Sequence, residues 1–147
     1  MSKKLEETLA QTKVKWIGKG QFVATDGTEH GLVMSTQDEE NGIGLKPSDL
    51  LLVSSGGCAG IDVVSILGRR RQNLTDLEIS ITAEQDSNPL WTFRKIRLAY
   101  TPHGKGLSKQ TVVRAVRLSE EKYCSVGATV SGVAELTSNF CTIEDEA

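Results

Sequence analysis

At 147 residues the chain is long enough for one domain with a real core, because a chain of that size buries roughly 70% of its unfolded surface, and it is too short for two ordinary domains. Its 17 basic and 19 acidic side chains give a formal charge of -2, which offers no field to gather phosphate backbone and so argues against nucleic-acid binding. No stretch approaches 18 consecutive apolar residues and no basic-then-apolar start precedes a small-residue cleavage site, so membrane and secretory readings fall away. Three scattered cysteines, Cys58, Cys124 and Cys141, fit neither a disulfide-stapled scaffold nor a zinc site, and the expectation is a cytoplasmic protein with reduced thiols.

Residues 1–12 read as an N-terminal arm or one short helix, with Ser2 placed to cap and Leu5 and Leu9 on one face. Three short strands follow at Lys13–Ile17, Gln21–Thr25 and His30–Met34. Gly18-Lys19-Gly20 and Asp26-Gly27 between them supply the positive φ of hairpin turns, and Ser35 to Lys46 reads as an exposed loop. Pro47 opens a helix that stays apolar or small from Leu50 to Leu67 apart from Asp62, and such a helix is expected to be buried. Gly68 and the cations Arg69-Arg70-Arg71 mark its end. The basic triplet reads either as a solvated helix terminus, which the negative end of the helix dipole favours, or as an anion site.

Leu77–Ala83 and Phe93–Leu98 alternate as an antiparallel pair around the turn residues Ser87-Asn88-Pro89, and Thr101 to Gly106 reads as a connector. Ser108 caps a helix turning on Val112, Val113, Val116 and Glu120 and ending near Tyr123. A short helix over Ser125–Gly132, a last strand from Val133 to Cys141 and an acidic tail over residues 142–147 complete an α+β order in a single domain, 1–147.

Gly56-Gly57 in mid-helix costs about 1 kcal/mol per glycine against alanine, and close approach of another backbone, as in a homodimer, would compensate. Cys58 beside them reads either as a small buried hydrophobe or as a catalytic thiol. Cys124 sits where one helix stops and another starts, so a helix N-terminus and Lys122 favour a thiolate there, the alternative being an ordinary half-buried cysteine. Asp62, one turn after Cys58, raises a neighbouring thiol pKa or bonds a partner backbone. Cys141 is given no role. His30 and His103 read as surface or packing residues, and Trp16 and Trp91, both placed in strands, as core or interface anchors.

Pro47-Ser48-Asp49-Leu50-Leu51, the run Gly56-Gly57-Cys58-Ala59-Gly60-Ile61-Asp62-Val63-Val64 and the segment Leu118-Ser119-Glu120-Glu121-Lys122-Tyr123-Cys124-Ser125-Val126 resemble the OsmC/Ohr family of osmotically inducible and organic hydroperoxide resistance proteins. The resemblance implies antiparallel sheets wrapped around long central helices in an intertwined homodimer, with a thiol peroxidase site at the interface. It makes Cys58 the peroxidatic thiolate that attacks a small apolar hydroperoxide and becomes a sulfenic acid, and Cys124 the resolving thiol that closes a disulfide with it. An external dithiol of lipoyl type would restore both thiols, with no metal, flavin or haem cofactor. Where peroxidase members carry an arginine this chain has Gln21, and where they carry a glutamate it has Ser48, with Asp49 next. The expectation is therefore a raised Cys58 pKa unless Lys15, Lys19 or a cation of a second chain substitutes. An OsmC-fold stress-related binding protein without efficient peroxidase activity, and a slow acyl-transfer thiol enzyme, are the alternatives.

Overall fold

The computed structural model describes residues 10–145, and most of the expected N-terminal arm lies outside them. The described chain forms two compact units, one ending at Leu50 and the other starting at Leu51.

The first unit is a three-stranded antiparallel meander of β1 (Thr12–Gly18), β2 (Gln21–Asp26) and β3 (Gly31–Ser35) in the order β1-β2-β3. The first turn takes its positive φ at Gly18 (119°) and Lys19 (47°). The second departs from the expectation: Glu29 rather than Gly27 adopts the left-handed conformation, at φ 67°. The Asp26 carboxylate explains this, since it accepts from the backbone N–H of both Thr28 and His30 and folds the turn around itself. The segment expected as an open loop returns along β3. Ser35 N–H donates to Leu45 O, and Leu45 N–H donates to Val33 O, at 3.1 Å each. Trp16 is not a core residue, being 62% exposed with its indole N–H donating to Lys19 O.

The helix α1 (Pro47–Arg69) spans the boundary, and its greater part belongs to the second unit. There it is followed by β4 (Leu74–Gln85), β5 (Phe93–Gly104), α2 (Lys109–Leu118), a π-helical turn (Ser119–Tyr123), α3 (Ser125–Val130), β6 (Glu135–Phe140) and β7 (Ile143–Glu144). β5 pairs antiparallel with β4, but β6 and β7 run parallel to it, so this sheet is mixed rather than antiparallel throughout. A parallel neighbour needs a crossover, and α2 with α3 supplies it between β5 and β6. Residues 101–104, expected as connector, continue β5 because Leu74, Asp76, Leu77 and Glu78 pair with them. The start of the acidic tail likewise adds a strand, Ile143–Glu144. Trp91 lies in the turn between β4 and β5, not in a strand, and is 57% exposed.

Sequence periodicity explains the core. Ala59, Val63 and Leu67 recur every four residues on α1; Ile96, Leu98 and Tyr100 recur every two on β5; Val112, Ala115 and Val116 form one face of α2. All nine are buried in a single cluster. Gly56 and Gly60 accommodate β4, since a Cβ at Gly56 would lie 2.7 Å from Ile81 Cδ1 and one at Gly60 3.0 Å from Ile79 Cδ1. What approaches these glycines is therefore side chain rather than backbone, and Gly57 meets nothing within 4 Å.

The expectation of a helix buried all round does not hold. Ile61 is 74% exposed, and Leu51, Val53 and Val64 are also open to solvent. By length and mean hydropathy (1.9 over an 18-residue window) α1 would suffice to cross a membrane, but the face that docks Ala59, Val63 and Leu67 in the core accounts for that composition as core packing. The helix runs through Gly68 and stops at the next residue, Arg69. Arg71 takes the left-handed position (φ 54°) while Arg71 N–H donates to Gly68 O and Gln72 N–H to Leu67 O, the paired bonds of a Schellman terminator. Ser108 caps α2 as expected, its hydroxyl accepting from Thr111 N–H at 3.2 Å.

Leu67 is fully buried at the end of α1, and Leu67→Ala is expected to lower unfolding stability by about 2–5 kcal/mol, read as a lower urea midpoint with an unchanged slope.

Candidate functional site

α1 presents Cys58 and Asp62 one turn apart on the face turned toward the end of α2. α2 does not simply stop: the π-helical turn at Ser119–Tyr123 adds a residue to its last turn, and Cys124 N–H donates back to Ser119 O at 2.8 Å. This widened turn carries Ser119, which is fully buried, against α1. Its hydroxyl donates to Asp62 Oδ2 at 3.1 Å, with Ala59 O at 3.4 Å. The chain then leaves the helix at Cys124, whose extended backbone (φ -75°, ψ 96°) makes it the N-cap of α3, with Gly127 N–H donating to Cys124 Sγ at 3.2 Å.

The two thiols predicted as a pair therefore meet, Cys58 half-buried and Cys124 buried, both as free thiols and close enough to perturb each other's ionisation. Their acidities diverge in the sense opposite to the reading from helix capping. Burial pushes the Cys58 thiol up, but the Val126 backbone N–H and the Cys124 and Ser125 side chains favour its thiolate more strongly, and the net pKa is lowered despite the opposing charge of Asp62. Burial pushes Cys124 up to about 11; the Gly127 N–H offsets only part of this, and Cys58 and Asp62 add to the rise. The cap that made Cys124 the candidate thiolate is present, and desolvation outweighs it.

Two neighbours of the pair escaped the sequence reading. Ser119 was passed over in favour of Glu120, yet the spacing 112, 115, 116, 119 places Ser119 on the buried face, while Glu120 is exposed. Tyr100 stands in the core with its hydroxyl buried and without a hydrogen-bond partner among the described residues. Burial, and then the nearby Glu120 carboxylate, push its phenol well above the usual range, so it stays neutral at any physiological pH. Glu120 itself accepts from the Ser138 hydroxyl.

The groups considered as replacements for the family's charged residues belong to the first unit. Gln21 opens β2, Lys15 is exposed on β1, and the Lys19 ammonium is paired with Glu40. Ser48 and Asp49 lie in the first turn of α1, where the Ser48 hydroxyl is buried without a partner among the described residues. Cys141 is exposed, His30 lies in its Asp26 turn in the first unit, and His103 lies on β5. Among the described residues no group of three His, Cys, Asp or Glu side chains gathers to hold a metal.

A family model described as OsmC-like protein matches residues 38–139. Protein YhfA of Escherichia coli strain K12 is 33% identical over 130 residues, covering 88% of this chain and 96% of YhfA. The chain belongs to the OsmC-like family. A crystal structure of a hypothetical protein from Aquifex aeolicus superposes with a TM-score of 0.84 at 26% identity, covering 95% of this chain and 99% of the other. The organic hydroperoxide resistance protein OhrB of Bacillus subtilis shares the fold at a TM-score of 0.60 and 13% identity, covering 91% and 98%. The OsmC-like match spans both the cysteine-bearing segment of α1 and the turn that carries Cys124.

The lowered pKa of Cys58 and the raised pKa of Cys124 set an order of reactivity. With limiting iodoacetamide near neutral pH, Cys58 is expected to be alkylated before Cys124 in peptide maps, and its rate to rise with pH and level off below the range of an ordinary thiol.

Proposed function

We propose that this protein is a cysteine-based thiol peroxidase that reduces organic hydroperoxides. The observation that carries the reading is the asymmetric thiol pair, Cys58 with its pKa lowered and Cys124 held at about 11. The Cys58 thiolate attacks the terminal oxygen of the hydroperoxide. The O–O bond breaks, the alkoxide takes a proton and leaves as the alcohol, and Cys58 is oxidised to the sulfenic acid. Cys124 then attacks the sulfenic sulfur, water leaves, and a Cys58–Cys124 disulfide remains. An external dithiol reduces that disulfide by exchange and is itself oxidised. A cytoplasmic setting, in which thiols stay reduced, suits such a cycle. The organic hydroperoxide resistance protein among the fold relatives supports the substrate class.

A second reading, a stress-related binding protein on the same fold, is favoured by one observation: the groups that lower the Cys58 pKa are an amide, a hydroxyl and a thiol, with no cation among them. The two readings separate on adding one equivalent of cumene hydroperoxide or hydrogen peroxide to the reduced protein. The peroxidase closes a Cys58–Cys124 disulfide faster with the organic peroxide, and Cys124→Ser halts at a sulfenic acid that dimedone traps. Slow oxidation by both peroxides leaves the binding protein.

The homodimer belongs to the same proposal. Val53, Gly57, Ile61 and Val64 share one open side of α1, and with Ile79 and Ile81 of β4 they line an apolar groove of about 710 Å³. An open apolar helix face of this kind is what a second copy would cover, and the resemblance to an intertwined family agrees with it. Ile61→Glu changes a side chain that is 74% exposed in the single chain, so it is expected to leave the fold intact and to halve the mass seen in sedimentation equilibrium; a wild-type protein that sediments as one chain removes the dimer.

A further inference from the structure

Three arginines line a groove whose lining includes none of the cysteines. Gln110, Val113, Arg114, Arg117, Leu118 and Glu121 follow one another at spacings of three and four residues along the outer face of α2 and into the π-helical turn, and Arg70 faces them from the end of α1. The groove has a volume of about 640 Å³. Its lining carries three guanidiniums against the single carboxylate of Glu121, on a chain whose overall charge is -2. Among the described residues none of the three arginines takes part in an ion pair. Arg114 and Arg117, one turn apart, repel each other, and an arginine keeps its charge at all accessible pH.

We propose that this groove binds a small organic phosphate. Guanidinium forks match phosphate oxygens in geometry and charge, and the Thr111 hydroxyl and Gln110 amide, also in the lining, supply neutral donors. The groove is far larger than one phosphate needs and falls in the range of small-molecule sites. Val113 and Leu118 add apolar side chains to its lining, so its ligand carries its phosphate on an organic body. The basic triplet at the end of α1 divides accordingly: Arg69 is held by its hydrogen bond to the Ser65 hydroxyl, Arg71 takes the left-handed helix stop, and Arg70 turns to the groove.

The test is calorimetric titration of the full-length protein with metal-free ATP, pyrophosphate and inorganic phosphate. ATP is expected to bind, with pyrophosphate competing and inorganic phosphate weakest. Arg114→Gln and Arg117→Gln are each expected to weaken ATP by about tenfold, the loss of one charge-assisted contact, with Arg114→Lys losing less. Arg97→Gln, an exposed cation on β5 outside the groove, leaves the affinity unchanged, and circular dichroism confirms that each variant folds. Absence of binding by ATP and pyrophosphate overturns the proposal, as does equal weakening by Arg97→Gln. A single-stranded oligonucleotide or an acidic peptide that binds through Arg114 more tightly than ATP replaces the small ligand with a macromolecule and overturns it equally.

Discussion

The second unit depends on the docking of α1 through Ala59, Val63 and Leu67 onto Ile96, Leu98 and Tyr100 of β5 and the inner face of α2. That contact is apolar and continuous, and it sets the rotation of the helix about its axis. With Ala59 and Val63 turned into the core, Cys58 and Asp62 fall at its edge, half-buried and facing the end of α2. The side carrying Val53, Ile61 and Val64 is left open. One packing decision thus places the Cys58 thiol and exposes the apolar face together.

Polar contacts refine what packing places. The buried Ser119 hydroxyl, donating to Asp62, ties α1 to the π-helical turn, and the turn delivers Cys124 to the cap of α3 beside Cys58. Unmet burial of Asp62 would be costly, and its partner removes part of that cost. The charge of Asp62 opposes thiolate at both cysteines. The difference between the thiols therefore comes from local dipoles: Cys58 receives the Val126 amide and two side chains, while the deeper Cys124 has the Gly127 amide against a larger desolvation. A half-buried thiol among donors and a buried thiol beside it thus differ in acidity, and among the described groups that lower the Cys58 pKa none is a cation.

Much of this was legible in the residues themselves. The three strands of the meander, the helix opened by Pro47, the Ser108 cap and the break at Cys124 all follow from local chemistry, namely turn residues, period and capping side chains. The two cysteines of the site were legible only through a resemblance carried by the segments around them, since nothing in a separation of 66 positions, from 58 to 124, brings two residues together by local rules. Ser119 was within reach, as its spacing from Val112 and Val116 marks it as inward-facing, but a serine on a buried face does not announce its acceptor.

What the sequence determined alone is the kind and order of elements, because helix and strand periods and the residues that stop them act within a few positions. The tertiary structure alone decided quantities that depend on neighbours distant in the chain. It decided that β6 and β7 run parallel to β5, since α2 and α3 carry the chain back across the sheet. It decided which side of α1 stays open, since an all-round apolar helix contains no instruction about where β4 and β5 will lie. It also decided which cysteine is the more acidic: helix capping is local and favoured Cys124, whereas desolvation depends on everything packed around the sulfur, and it reversed the order.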